Sequence, residues 1–77
     1  MPRITPVHWK VLECIFVEAG FVFKNQVGSH RVYEKDDCLR PIVIPKYTEI
    51  DVEIIRGLMR TAKMDREQYF EFLRKCK

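Results

Sequence analysis

The residues of this chain best suited to chemistry are Gly28-Ser29-His30. Histidine is the side chain that trades protons near neutral pH, and His30 is one of only two in the chain. It stands in a basic, polar stretch, Lys24-Asn25-Gln26-Val27-Gly28-Ser29-His30-Arg31, and not on an apolar face. The other histidine, His8, is flanked by Val7 and Trp9 and reads as a helix-surface or half-buried residue. No Asp, Glu or Cys cluster joins the two at ligand spacing, so neither a metal centre nor a cofactor is expected. Cys14, Cys38 and Cys76 form no C-x-x-C and no nucleophile–base pattern. Odd in number, they are expected as reduced thiols of a cytosolic protein.

The elements that must position His30 are legible from local signals. Thr5 as N-cap and Pro6 at the first helical position predict a helix over 6–19. Its stripe is Val7, Val11, Leu12, Ile15 and Ala19, widened by Trp9 and Phe16, and Gly20 stops it. Phe21, Phe23 and their neighbours form a first strand. Residues 26–29 turn the chain with Gly28 at positive φ, and residues 30–34 form a second strand. Asp36 and Asp37 suit the next turn, and residues 41–45 make a third strand bracketed by prolines. Asp51 caps a second helix to about Ala62, with Ile50 and Ile55 at staple spacing. Gly57 inside it suggests close packing. Asp65 and Gln68 form a capping box for a short third helix anchored by Tyr69, Phe70, Phe72 and Leu73. The order predicts an α+β fold: a three-stranded antiparallel sheet with helices on one face and the other face open beside His30.

Composition bounds the rest. Seventy-seven residues, of which 47% are hydrophobic, suffice for one small domain spanning 1–77 and its core. A deep substrate cavity is not expected in a chain this size, so a ligand should bind on the surface. The net charge of +3 is a mild bias, compatible with RNA or with an acidic protein partner. There is no secretory segment and no apolar run of membrane-spanning length, which points to a cytoplasmic protein without a membrane partner.

Taken in order along the chain, these features resemble the HicA-type toxins of bacterial toxin–antitoxin systems. The resemblance is carried by Pro2-Arg3-Ile4-Thr5 before the first helix, Gly20-Phe21 at its end, and Gly28-Ser29-His30. It continues through Ile44-Pro45, Glu49-Ile50, the helix with Ile55, Leu58 and Thr61-Ala62, and the closing Asp65-Arg66-Glu67-Gln68-Tyr69-Phe70. Lys46 and Tyr47 stand where many members of the family carry a histidine. The resemblance implies a double-stranded-RNA-binding-domain-like fold, α-β-β-β-α with an extra short C-terminal helix. It also implies mRNA cleavage with His30 as the catalytic histidine, Gly28 and Ser29 as its mount, and a HicB-type antitoxin as partner.

Metal-independent RNA cleavage needs a base for the ribose 2′-OH, an acid for the departing 5′-oxygen and a cation for the phosphate. His30 suits the base or the acid. Lys24, Arg31 and Lys46 are candidates to hold phosphate, and Tyr33 or Tyr47 to stack on a base or supply a hydroxyl. Trp9 and Phe16 read as core. Arg56 and Arg60, four apart on one helix, suit a phosphate or an acidic antitoxin. The same residues also fit a non-catalytic RNA-binding or antitoxin-binding module.

Overall fold

In the computed structural model, which describes residues 3–76, the chain runs α1 (Trp9–Glu18), β1 (Val22–Val27), β2 (His30–Lys35), β3 (Cys38–Pro45), α2 (Val52–Ala62) and α3 (Arg66–Cys76). Pro2, which opens the family-like segment, lies outside the described residues. The strands form one antiparallel sheet in the order β1-β2-β3. This is the α+β layout that the sequence order predicts.

Residue alternation in the strands sorts the two faces of the sheet. Tyr33, Ile42 and Ile44 are buried and share one face, because Tyr33 pairs with Ile42 across β2 and β3. α1 and α2 both pack against β3, where these side chains meet Leu12, Ile15 and Phe16 of α1 and Ile55 and Met59 of α2 in one core. His30 and Val43 lie on the other, open face. β1 is exposed along its whole length. Its pairing slips at Lys24, between Phe23 and Asn25, and a lysine at a bulge is a common guard on an open sheet edge.

α1 begins at Trp9, three residues later than the Pro6 start expected from Thr5 and Pro6. The reason is tertiary. Ile4 and Val7 are drawn into the core, and Val7 bridges Ile50, whose N–H donates to the Val7 carbonyl at 2.8 Å. His8 therefore caps the helix, its Nδ1 accepting the Lys10 N–H at 3.1 Å. The C-terminus behaves as the sequence says. Gly20, at φ +106°, donates to the Val17 carbonyl, and Phe21 N–H donates to that of Phe16, while the rings of Phe16 and Phe21 meet edge to face.

Three further expectations are corrected. β3 starts at Cys38, ahead of Pro41, because Cys38 pairs with Lys35 directly across the Asp36-Asp37 turn. Asp51 occupies the N-cap of α2, but its side chain makes no capping hydrogen bond. α3 is not short: its 11 residues equal α2 in length. Its capping box forms as expected, with Gln68 N–H donating to Asp65 Oδ1 at 2.8 Å and Asp65 N–H to Gln68 Oε1 at 3.2 Å.

Gly57 is also not where packing demands a glycine. It is exposed, and a Cβ there would meet nothing within 4 Å. Gly57→Ala is therefore expected to raise stability by about 0.5–1 kcal/mol, because alanine loses less backbone entropy in a helix. A denaturant midpoint unmoved or lowered by the substitution would show that this surface of α2 is more constrained than its open space indicates.

The cysteine expectation fails outright. Cys14 and Cys76 form a disulfide, with Cα atoms 5.8 Å apart. α3 packs along α1, which brings the last turn of α3 beside the middle of α1. Only Cys38 is a free thiol, half-buried at the start of β3.

Candidate active site

The Gly28-Ser29 turn is the shortest that joins two antiparallel strands, and Val27 pairs with His30 directly across it. Gly28 has φ +60°, the left-handed conformation that such two-residue turns require. The turn is tied from both sides. Gln26 Nε2–H donates to the Gly28 carbonyl at 3.0 Å, and Lys46 N–H donates to the Ser29 carbonyl at 2.8 Å. His30 follows at once, exposed, at the corner where β2 pairs with Pro45 of β3. Its imidazole takes no hydrogen bond among the described residues, so both ring nitrogens are open to a ligand.

Beneath the corner lies a polar brace to α1. Arg31 Nε–H donates to Glu13 Oε2 at 3.1 Å and to the Tyr33 hydroxyl at 3.0 Å, while another guanidinium N–H donates to Gln26 Oε1 at 2.9 Å. The Tyr33 hydroxyl in turn donates to Glu13 Oε2. The guanidinium lies over the Phe23 ring, 4.2 Å from its centroid. A continuous line of hydrogen bonds thus runs from Glu13 through Arg31 and Gln26 to the Gly28 turn. It fixes the hairpin that carries His30 to the first helix.

This brace holds two residues that the sequence suggests for RNA. Tyr33 is completely buried, so its ring has no free face for a base, and its hydroxyl is already committed to Glu13. Arg31 is half-buried and paired with Glu13 at 3.1 Å. Burial, followed by the hydrogen bond to Glu13, pushes the Tyr33 phenol up to about 12. The Arg31 guanidinium is held above its ordinary value, first by its hydrogen bond to Tyr33.

The Tyr33 shift has a measurable consequence. A phenol raised in the folded state contributes stability that is complete below the unfolded value, near pH ~10, and is lost as pH rises through the folded value. The protein is therefore expected to lose on the order of 2 kcal/mol between about pH 10 and 12 through this group, and Tyr33→Phe should flatten that part of the curve. Equal alkaline slopes for the two proteins in urea titrations would remove Tyr33 as the cause.

Lys46 and Tyr47 leave β3 on the His30 side. Both are exposed, and Trp9 N–H donates to the Tyr47 carbonyl at 3.2 Å, which fastens this segment to the start of α1. Lys46 Nζ lies 5.3 Å from the centroid of the half-buried Trp9 ring. Lys24 does not join the group. It sits in the middle of β1 and pairs with Glu34 at 2.6 Å. The structure therefore brings His30, Lys46 and Tyr47 to one corner, sets Arg31 and Tyr33 beneath it, and leaves Lys24 apart. Among the described residues no three His, Cys, Asp or Glu side chains group as metal ligands would.

Residues 9–64 match the family model described as the HicA toxin of bacterial toxin–antitoxin systems, well over half of the chain. The chain belongs to the HicA toxin family. No curated protein matches it. The family span in this HicA toxin begins at Trp9 and closes at Met64, so it holds the sheet, the first two helices and the whole His30 corner. α3 and Cys76 extend beyond it. Membership supports a toxin role, since the family is that of the HicA toxins of bacterial toxin–antitoxin systems. No helix among the described residues is long and apolar enough to cross a membrane.

Three residues that matter to the HicA corner escape sequence reading: Trp9, Glu13 and Gln26. A weak signal exists for the first two. Trp9 and Glu13 are four apart and so share a face of α1. Nothing local marks Gln26, whose two contacts run to the Gly28 turn and to Arg31.

Proposed function

We infer that this protein is an endoribonuclease toxin that cuts mRNA and so slows translation, and that His30 is its catalytic acid or base. The observation that carries the reading is the exposed, unbonded imidazole of His30 just past a turn whose Ser29 carbonyl accepts the Lys46 N–H, within the HicA family span. The ribose 2′-oxygen loses its proton and attacks the adjacent phosphorus. The bond to the 5′-oxygen breaks, that oxygen takes a proton, and the products are a 2′,3′-cyclic phosphate and a 5′-hydroxyl end. His30 serves one of the two proton transfers, and Lys46, which follows the strand partner of His30, is a candidate to hold phosphate. Tyr47 offers an exposed ring to a base and a hydroxyl to the site. Gly28 and Ser29 hold His30 in place. The partner that silences this activity is an antitoxin of the HicB type, covering the same corner.

The test is induced expression with growth and transcript integrity followed together, joined to incubation of the purified protein with RNA in a chelator. Arrest with cut transcripts, and cyclic phosphate ends in the chelated reaction, are expected. Salt-dependent RNA binding without any cleavage would instead establish a non-catalytic RNA-binding module. Binding to an antitoxin alone would establish an interaction protein.

A further inference from the structure

At the start of α1 the fold gathers positive charge over one aromatic ring. Trp9 is the chain's only tryptophan, and its indole is half-buried. Lys46 Nζ lies 5.3 Å from the ring centroid, Lys10 Nζ 5.9 Å and the Arg31 guanidinium 5.5 Å. The His8 ring stacks alongside at 5.9 Å. Glu13 answers Arg31, but the exposed Lys10 and Lys46 have no ion pair among the described residues. An aromatic face attracts an ammonium group without neutralising it. Lys10 comes from the first turn of α1 and Lys46 from just past β3, so only the tertiary fold brings them to one ring. Lys46 directly follows Pro45, the strand partner of His30.

Two uncompensated ammonium groups flanking an indole match a nucleotide strand, which offers a phosphate charge and an aromatic face at each step. An acidic protein surface would use the charges but not the ring. We propose that Lys10 and Lys46, gathered over Trp9, form a subsite for a phosphodiester of single-stranded RNA, a contact the substrate strand makes apart from the nucleotide on which His30 acts. The subsite rests on the ribonuclease reading for its place in the reaction, but its binding can be measured without cleavage.

The experiment uses His30→Ala protein, which leaves RNA whole, titrated with a short oligouridylate while Trp9 fluorescence is read across a salt series. A saturable change in Trp9 emission is expected. Lys10→Ala/Lys46→Ala should weaken binding about tenfold at low salt and reduce the salt slope by about 1.4, roughly 0.7 for each lost phosphate contact. Lys10→Arg/Lys46→Arg keeps the charges and should bind as the parent does. Arg74→Ala/Lys75→Ala removes the same charge from α3 and should change neither affinity nor slope. Equal losses in the α3 control and the Lys10/Lys46 pair would overturn the subsite, and so would no loss in that pair. Polyglutamate giving the Lys10- and Lys46-dependent Trp9 response while RNA gives none would overturn the RNA assignment. If wild type cuts no RNA but the Lys10- and Lys46-dependent binding persists, the ribonuclease reading falls and the subsite stands. If wild type cuts RNA but binding is indifferent to Lys10 and Lys46, the subsite falls and the ribonuclease reading stands.

Discussion

His30→Ala is expected to lower RNA cleavage by about 10²- to 10⁴-fold, the usual worth of a positioned acid–base group, and to abolish growth arrest. The fold should survive. The imidazole is exposed and makes no hydrogen bond among the described residues. The hairpin around it is held by backbone pairing, by Gly28, and by Gln26 and Lys46 at the turn. A surface substitution of this kind changes stability by roughly 0.5 kcal/mol or less. The two measurements must be made together: cleavage rate on a defined RNA, and the unfolding midpoint of the same preparation. Cleavage within a few-fold of wild type in a folded His30→Ala protein would transfer the proton chemistry to another group. His30→Gln, which keeps a polar side chain of similar reach but does not titrate, should be as inactive as the alanine variant.

Reduction of the Cys14–Cys76 disulfide is expected to cost about 2–4 kcal/mol of stability. The two cysteines are 62 residues apart, so the bridge closes most of the chain into a single loop and restricts the unfolded ensemble accordingly. A chain of this size holds only about 4–12 kcal/mol in all. The loss should appear as a lower guanidinium midpoint with reductant, and equally in Cys14→Ser/Cys76→Ser without it. α3 should show it first. It lies outside the family span and is held to the rest by Tyr69, the packing along α1 and this bond. The Tyr69 hydroxyl is buried without a hydrogen-bond partner among the described residues, so packing alone offsets its desolvation. Amide exchange in α3 should therefore rise well before exchange in β2 and β3. Identical midpoints with and without reductant would show that α3 docks without the bridge.

Much of the fold is legible in the sequence because its signals act over a few residues. Gly20 and Phe21 end α1 through hydrogen bonds to residues of its last turn. Gly28-Ser29 closes the hairpin, since only a residue at ease with positive φ fits there. Asp65 and Gln68 cap α3 reciprocally across one turn. Where a local signal meets a distant competitor, it loses. Thr5-Pro6 is a sound helix start in isolation, but burying Ile4 and Val7 against Ile50 keeps that segment extended. Gly57 resembles a packing glycine because sequence does not show which side of α2 is bare.

The amino-acid sequence by itself determined the order of elements, the turn that presents His30, and the family span. Each is written in periodicity, caps and turn residues whose energetics are settled within a few positions. The tertiary structure alone decided what surrounds that histidine. It set Arg31 and Tyr33 under the corner on Glu13, paired Lys24 with Glu34, and brought Lys46 over Trp9. It also joined Cys14 to Cys76. These contacts link residues up to 62 positions apart. Their partners are chosen by how α1, the sheet and α3 pack together, which no local pattern of residue types records.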